Sequence, residues 1–155
     1  MIKVLIVDDS KIMRNAVSVR IKECGFKVIG QAENGHEAIT KFRLLKPDIV
    51  TMDITMPEIN QINDGIAAVR EIKKIDPNAN IVMITSHGEE KKVMDAISAG
   101  ARGYILKPVT TQQIRKVFRK LREKLVVEKK GSTISYSIGN LNIDDNGESV
   151  NAVQT

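Results

Sequence analysis

Aromatic residues are scarce in this chain of 155 residues: they make up 3% of it, and tryptophan is absent. A core must therefore be built from aliphatic side chains, for which the hydrophobic content of 42% is sufficient. Cysteine is nearly absent too, since Cys24 is the one thiol. A single thiol excludes an internal disulfide framework and is typical of a reducing compartment.

Long apolar runs are also missing. The apolar start Val4-Leu5-Ile6-Val7 is stopped by Asp8-Asp9, which makes it too short for a signal peptide or a membrane-spanning helix. Neither glycine-rich fingerprint of nucleotide-binding enzymes is present. We therefore expect a cytoplasmic protein without a membrane partner, built as one compact domain with an extension.

The formal net charge of +5 is unevenly distributed. The segment from residue 115 to 124 carries six cationic side chains and one anionic side chain, Glu123. The cationic residues are Arg115, Lys116, Arg119, Lys120, Arg122 and Lys124. Such a run can bind nucleic acid, bind an acidic protein or form a solvated outer face. The solvated and protein-facing interpretations together are favoured.

Strand and helix patterns alternate five times up to residue 125. The strands are short apolar runs at residues 3–7, 27–32, 47–53, 81–84 and 103–106. The helices between them carry apolar stripes, and capping residues mark several of their starts: Ser10, Asn34 with Glu37, and Thr110 with Gln113. This alternation predicts an α/β fold, a doubly wound five-stranded parallel sheet with helices on both faces.

The pattern changes after Leu125, so we divide the chain into a domain at residues 1–125 and a C-terminal extension at residues 126–155. Alternating apolar residues flank a turn signal at Gly139-Asn140, which predicts a β-hairpin; they are Ile134, Tyr136, Ile138, Leu141 and Ile143. The surrounding Ser, Asn, Gly and Asp residues favour a flexible tail instead. The two interpretations are equally weighted.

Polar side chains of useful types follow four of the predicted strands: Asp8 and Asp9, Asp53, Thr85, and Lys107. Each alone is explained by a turn or a cap, but parallel strand ends meet at one edge of a sheet, where ligands bind. Crowded carboxylates repel each other unless a cation neutralises them, and oxygen ligands of this kind suit Mg²⁺. With a hydroxyl and an ammonium nearby, the set permits attack by a carboxylate on a phosphoryl group.

The residues around these positions resemble a known family. Val7-Asp8-Asp9-Ser10, Met52-Asp53-Ile54-Thr55-Met56-Pro57, Ile84-Thr85-Ser86 and Leu106-Lys107-Pro108 resemble, in order and spacing, the signatures of the response-regulator receiver domain, which has a flavodoxin-like fold. The run Ala99-Gly-Ala-Arg-Gly-Tyr-Ile-Leu-Lys-Pro is similar to the single-domain chemotaxis regulators of the CheY type. The resemblance covers residues 1–125.

For the chemistry, the resemblance implies that Asp53 accepts a phosphoryl group from a histidine kinase in a Mg²⁺-dependent reaction. Asp9, Asp53 and the backbone carbonyl of Thr55 would hold the cation, and Asp8 would act through a metal-bound water. Lys107 would contact the phosphoryl group and precede a cis bond to Pro108.

For signalling, the resemblance implies that Thr85 follows the phosphoryl group and that Tyr104 turns inward with it. The side chains of Thr55 and His87 would tune the lifetime of the phosphoryl group. Output would run through the helix after Thr85, the strand of Tyr104 and the basic helix at residues 112–125. The implied partners are a chemotaxis-type kinase, a phosphatase, and the flagellar motor switch or another protein target, without nucleic acid.

Three alternatives remain. A receiver in a phosphorelay unrelated to chemotaxis fits the same motifs. A turnover enzyme of the haloacid-dehalogenase type is disfavoured, because that family has a second Asp two residues after its nucleophile, where this chain has Thr55. A DNA-binding regulator is disfavoured because the residues after Leu125 lack the two helical patterns of a helix-turn-helix. We therefore expect a signalling protein rather than a turnover enzyme.

The chain departs from the family at one place. An acidic residue or Asn followed by Gly is expected soon after Met56-Pro57, but Asp64-Gly65 arrives about four residues late. The extra residues lie within residues 59–63. Since the expected ligands precede this insertion, metal binding is expected to survive. We expect the insertion to affect the access of a kinase, a phosphatase or a target to Asp53.

Overall fold

The computed structural model describes residues 1–131, 136–138 and 141–143. Five strands form a parallel sheet in the order β2-β1-β3-β4-β5. Their bounds are β1 Lys3–Val7, β2 Lys27–Ala32, β3 Ile49–Met52, β4 Asn80–Thr85 and β5 Gly103–Leu106. The helices are α1 Lys11–Glu23, α2 Gly35–Leu45, α3 Gly65–Ile75, α4 Glu90–Ala99 and α5 Thr111–Gly131. The predicted doubly wound fold is confirmed.

The strand order determines which face each helix covers. The chain moves from β1 outward to β2 and then returns across β3, β4 and β5. With right-handed crossovers, this reversal places α1 on one face and α2, α3 and α4 on the other. The point of reversal lies between β1 and β3, where a doubly wound sheet opens its ligand crevice.

The centre of the sheet is apolar on both faces. Every residue of β3 and β4 is buried, and so are four of the five in β1. Helices on both sides exclude water from these strands, so their sequences are continuous apolar runs instead of alternating ones. The side chains that leave this core at the strand ends have little freedom of position, which fixes the functional site.

The capping residues act as predicted. Ser10 accepts a hydrogen bond from the amide of Met13, and Asn34 accepts one from the amide of Glu37. At the start of α5, the amide of Thr110 donates to Gln113 Oε1 over 2.8 Å, and the amide of Gln113 donates back to Thr110 Oγ1 over 3.2 Å. These bonds satisfy amide groups that have no partner inside the helix.

The chain divides into two units, Met1–Val117 and Phe118–Thr155. In the second unit, α5 continues to Gly131, beyond the end near Leu125 that the apolar stripe predicts. Two short strands, β6 Tyr136–Ile138 and β7 Leu141–Ile143, pair antiparallel, with Tyr136 opposite Ile143. Ile134, the Gly139-Asn140 turn and residues 144–155 lie outside the described residues. The domain boundary at residue 125 stays a prediction.

Within the described residues, no helix has the length and apolar character needed to cross a membrane.

Candidate functional site

Three carboxylates converge at the carboxyl edge of the sheet. Asp8 and Asp9 follow β1, and Asp53 follows β3, which is the neighbouring strand. One carboxylate oxygen from each lies within 4.8 Å of the others. Asp8 and Asp53 are 3% and 6% exposed, whereas Asp9 is open to solvent. Two buried charges beside an exposed one form a site that a cation can enter from outside.

Lys107 reaches this cluster from the end of β5. Its Nζ lies 2.8 Å from Asp8 Oδ2 and 3.4 Å from Asp53 Oδ2. Burial by itself lowers the pKa of an ammonium, but hydrogen bonds and charge from the two carboxylates outweigh it and raise the pKa of Lys107. The side chain is therefore a permanent cation at the site. The bond from Lys107 to Pro108 is cis, as the resemblance implies.

The ionised form of Asp53 is disfavoured at this site. Burial and the neighbouring charge of Asp8 raise its pKa above the ordinary range of an aspartate. Lys107, the Thr85 hydroxyl and the amide of Ile54 oppose the rise, and that amide donates to Asp53 Oδ1 over 2.9 Å. The carboxylate is thus held in one orientation but only partly neutralised, which favours a cation or an electrophile.

The hydroxyl groups of Thr85 and Tyr104 both form hydrogen bonds with the backbone of His87. Thr85 is fully buried at the end of β4, and its hydroxyl accepts a hydrogen bond from the amide of His87 over 3.4 Å. The hydroxyl of Tyr104 donates to the carbonyl of His87 over 2.5 Å. Burial, with the charges of Glu89 and Asp53, raises the pKa of Tyr104. Backbone groups of His87 therefore connect the interior hydroxyl to the ring on β5.

The side chains of Thr55 and His87 form a bridge over the site. Thr55 Oγ1 lies 2.5 Å from His87 Nε2, and Glu89 lies 3.5 Å from the other ring nitrogen. The bridge joins the loop after β3 to the loop after β4. The role of these two side chains in the lifetime of a phosphoryl group stays a prediction.

Gly65 allows the backbone of α3 to approach Asp53. A Cβ at Gly65 would lie 1.8 Å from the carbonyl oxygen of Asp53, and the amide of Gly65 donates to the carbonyl of Ile54 over 2.8 Å. Asp64 caps α3 by accepting from the amide of Ala67. The late Asp64-Gly65 pair thus anchors the loop after Asp53 despite the insertion.

The insertion itself folds as a tight hairpin, which we call the inserted hairpin (residues 59–62). Ile59 and Ile62 exchange backbone hydrogen bonds of 3.2 and 3.0 Å. Asn60 and Gln61 at its tip have φ values of 51° and 69°. Positive φ at both central residues is the geometry of a type I′ turn.

Sequence reasoning missed Arg14. Its guanidinium donates to the backbone carbonyl of Asp8 over 2.7 Å and to Gln31 Oε1 over 3.1 Å. Both contacts fix the end of β1 against β2. A signal was available: Arg14 lies one helical turn after the cap Ser10, so the strand end that Ser10 follows is within its reach.

The residues present fit a divalent cation. Asp8, Asp9 and Asp53 offer only oxygen ligands, and they carry more negative charge than Lys107 balances. Mg²⁺ prefers such hard ligands and binds through few carboxylates, with water and phosphate completing its shell. The acidic cluster is thus a candidate metal centre.

Comparison with known proteins matches this site to a family. The family model described as response regulator receiver domain matches residues 4–119. The Chemotaxis protein CheY of Thermotoga maritima is 47% identical over 119 residues, which are 77% of this chain and 96% of that protein. The Chemotaxis protein CheY of Bacillus subtilis is 43% identical over 118 residues, 76% of this chain and 95% of that protein. A solved CheX-CheY-BeF3-Mg complex from Borrelia burgdorferi contains a chain 34% identical to this one, with a TM-score of 0.72; the match covers 78% of this chain and 89% of that one.

Proposed function

The chain belongs to the response regulator receiver family, and from this premise we propose that it is a switch that is turned on by phosphorylation of Asp53. The observation that supports this most strongly is the geometry of the acidic cluster with Lys107. A buried carboxylate beside two others and a fixed ammonium suits a phosphoryl acceptor that works with a divalent cation.

In the reaction, a carboxylate oxygen of Asp53 forms a bond to phosphorus while the bond from phosphorus to the donor histidine nitrogen breaks. The electron pair of the broken bond stays with the imidazole. Asp53 Oδ1 already accepts a hydrogen bond from the amide of Ile54. We therefore assign the attack to Oδ2, which lies 3.4 Å from Lys107 Nζ. Asp9, Asp53 and the Thr55 carbonyl would hold Mg²⁺, with Asp8 acting through water. When bound, Mg²⁺ supplies charge neutralisation for the phosphoryl oxygens.

The switch uses contacts already present. The Thr85 hydroxyl donates toward Asp53, so a phosphoryl oxygen on Asp53 would accept that hydrogen bond instead and draw the hydroxyl inward, together with the His87 amide that donates to it. Since Tyr104 donates to the carbonyl of the same residue, the ring would move with that segment. Phosphorylation then shifts the population between two packings through its differential contacts.

We assign the output to the groove between β5 and the start of α5. It has a volume of about 360 Å³ and is lined by Tyr104, Ile105, Leu106, Gln113, Lys116 and Val117. Lys116 gives this groove a positive charge that favours an acidic partner. Since relatives of the chain are named chemotaxis proteins, we propose that this partner is a component of the flagellar motor switch, and that a chemotaxis-type histidine kinase and a phosphatase act on Asp53.

The test of the chemistry is incubation with a small phosphodonor and Mg²⁺, followed by mapping of the modified residue by mass spectrometry. We expect modification of Asp53 that disappears in Asp53→Asn and after chelation of the metal. Asp95→Asn, a change at a half-buried position on α4, is the matched control and should leave the modification intact. Modification that persists in Asp53→Asn would reject the assignment.

The test of the output is a pull-down with the phosphorylated form, probed for motor-switch components. Lys116→Glu should weaken target capture while Asp53 is phosphorylated as before, because Lys116 lies at the groove and not at the acidic cluster. Lys22→Glu on α1 is the charge-matched control. If altering the inserted hairpin abolishes capture and Lys116→Glu does not, the output surface has been misplaced.

A further inference from the structure

Asp9 differs from the other carboxylates of the acidic cluster because its side chain is open to solvent. By contrast, Asp8 Oδ1 accepts a hydrogen bond from the amide of Ser10 over 2.9 Å, and Asp8 Oδ2 accepts one from Lys107 Nζ over 2.8 Å. Within residues 1–127, no hydrogen bond or ion pair holds the Asp9 carboxylate. The direction of this side chain therefore depends on the backbone on either side of it.

The peptide groups on both sides of Asp9 are held by hydrogen bonds. After Asp9, the amide of Ser10 donates to Asp8 Oδ1 over 2.9 Å. Before Asp9, the carbonyl of Asp8 accepts from Arg14 Nη1 over 2.7 Å. A peptide group is planar, so a hydrogen bond to its oxygen or its N–H restrains the whole unit. Because both planes are restrained, the direction in which the Asp9 side chain leaves the backbone is restrained as well.

Arg14 is suited to this task because it is held by its own neighbours. Its amide donates to the carbonyl of Ser10 over 2.9 Å in the first turn of α1, and its Nε donates to Gln31 Oε1 on β2 over 3.1 Å. The next residue of β2, Ala32, accepts the amide of Asp8 over 3.0 Å. The planar guanidinium therefore joins the end of β1 to β2 with donors in a fixed geometry.

We propose that Arg14 is a positioning residue for the metal centre. It orients the peptide group between Asp8 and Asp9, and through it the Asp9 carboxylate, toward the place that a divalent cation would take. The inference rests on the proposed function, since it needs the acidic cluster to bind a cation.

The geometric effect of Arg14 and its charge act in opposite directions. The two side-chain contacts of Arg14 are to a backbone carbonyl and an amide oxygen, and neither is to a carboxylate of the cluster. Its positive charge taken alone would repel a divalent cation. If the orientation of Asp9 is the larger effect, replacing Arg14 weakens cation binding; if the charge is the larger effect, replacing it tightens binding.

The test is a titration of the isotope-labelled full chain with MgCl₂ at constant ionic strength, followed by NMR through the amides of residues 8–10 and 53–55. Arg14→Met should raise the apparent Kd for Mg²⁺ about tenfold, the lower end of the range for groups that orient metal ligands. Arg14→Lys keeps the charge but cannot reach Asp8 and Gln31 together, so its Kd should lie between those two values. An unchanged or lower Kd in Arg14→Met would overturn the proposal.

A second measurement separates the orientation of the site from the stability of the fold. The carbonyl ¹³C resonance of Asp8, recorded without divalent cation, should shift in Arg14→Met because the oxygen loses a charged donor. Gln31→Met removes the anchor of the guanidinium and should raise the Kd in the same direction by a smaller factor. If thermal unfolding shows that Arg14→Met does not fold, Gln31→Met decides, and an unchanged Kd there would overturn the proposal.

Arg20→Met is the matched control, since it removes the same charge from α1 at a position that pairs with Glu23 instead. It should leave the Mg²⁺ affinity and the Asp8 resonance as in the unmodified chain. An unmodified chain without saturable Mg²⁺ binding would reject the metal centre of the proposed function and this inference with it. Tight binding in the unmodified chain that persists in Arg14→Met would reject this inference alone.

Discussion

The ammonium nitrogen of Lys107 lies 2.8 Å from Asp8 Oδ2, although the two residues are 99 positions apart in the chain. The pair is largely buried, with 14% of the lysine side chain and 4% of the aspartate side chain exposed. Buried charges cost more when one partner is removed than when both are absent. Lys107 therefore stabilises the site electrostatically as well as contacting phosphate in the proposed reaction.

Lys107→Met should lower the free energy of unfolding by about 3 kcal/mol without divalent cation, because it leaves Asp8 and Asp53 buried without their counter-charge. Adding Mg²⁺ should restore part of the loss. Denaturant titrations with and without chelator measure both effects. Lys74→Met, which breaks an exposed pair with Glu71, is the control and should cost less than about 1 kcal/mol. An equally small effect at Lys107 would contradict this account.

Asp53→Asn should stabilise the chelated protein at neutral pH. Since folding raises the pKa of Asp53, its contribution to stability is fully present below the ordinary aspartate pKa of about 3.9 and is lost as pH rises through the folded pKa. The variant does not lose this contribution. Thermal unfolding across acidic to neutral pH measures the difference, which should grow with pH. A variant that is less stable at every pH would show that Asp53 is fully neutralised by its partners.

A divalent cation should stabilise the unmodified chain more than it stabilises the Asp53→Asn variant. A ligand that binds only the folded state adds about 1.4 kcal/mol when its concentration is about ten times its Kd. For a domain of this size, a gain of that order raises Tm by several degrees. Melting curves with added Mg²⁺ measure the effect, and monovalent salt at matched ionic strength is the control. Equal stabilisation by both salts would indicate screening instead of a bound ion.

Tyr104 should ionise above the ordinary tyrosine pKa of about 10, because burial and the charges of Glu89 and Asp53 disfavour the phenolate. The chain has two tyrosines, so Tyr136→Phe leaves Tyr104 as the one phenol in a spectrophotometric titration. Stability should be constant with respect to this group below pH 10 and should fall as pH rises through the folded pKa. A midpoint at or below the ordinary value would contradict the burial of the hydroxyl.

Gly65→Ala should destabilise the protein severely, by more than about 3 kcal/mol, since its Cβ would overlap the carbonyl oxygen of Asp53. The backbone of the proposed phosphoryl acceptor would have to move as well. Gly88→Ala is the matched control, because a Cβ there meets only the flexible end of Leu106 at 3.2 Å. Chemical unfolding measures the loss of unfolding free energy in both variants. Similar losses would show that the loop after β3 can move to accommodate the added methyl group.

The sequence predicts the fold well because its strands are buried on both faces. Continuous apolar runs at β1, β3 and β4 define the centre of the sheet, and the polar residues that follow them define its functional edge. The convergence of Asp8, Asp53 and Lys107 follows from parallel strand topology alone. The distances do not, since they depend on how far a lysine side chain reaches across two strand ends.

Other parts of the site depend on contacts between distant segments. The tip of the inserted hairpin, Asn60-Gln61, lacks the glycine that usually marks a turn with positive φ, so periodicity and turn signals do not predict it. Its position depends on His36 and Gly35, which lie more than twenty residues earlier. Arg14 was missed for a different reason: its contact with Asp8 is local, but its partner is a backbone carbonyl, which leaves no charge pattern in the sequence.

The packing of Ile62 over Gly35 has a consequence for protein engineering. A Cβ at Gly35 would lie 2.5 Å from a methyl carbon of Ile62, so the hairpin would have to shift to admit any larger residue at that position. The insertion and this glycine are therefore best exchanged together. Moving the hairpin into a related scaffold with a larger residue at the position of Gly35 would produce a steric clash with Ile62. Moving the hairpin and the glycine together would preserve the contact between them.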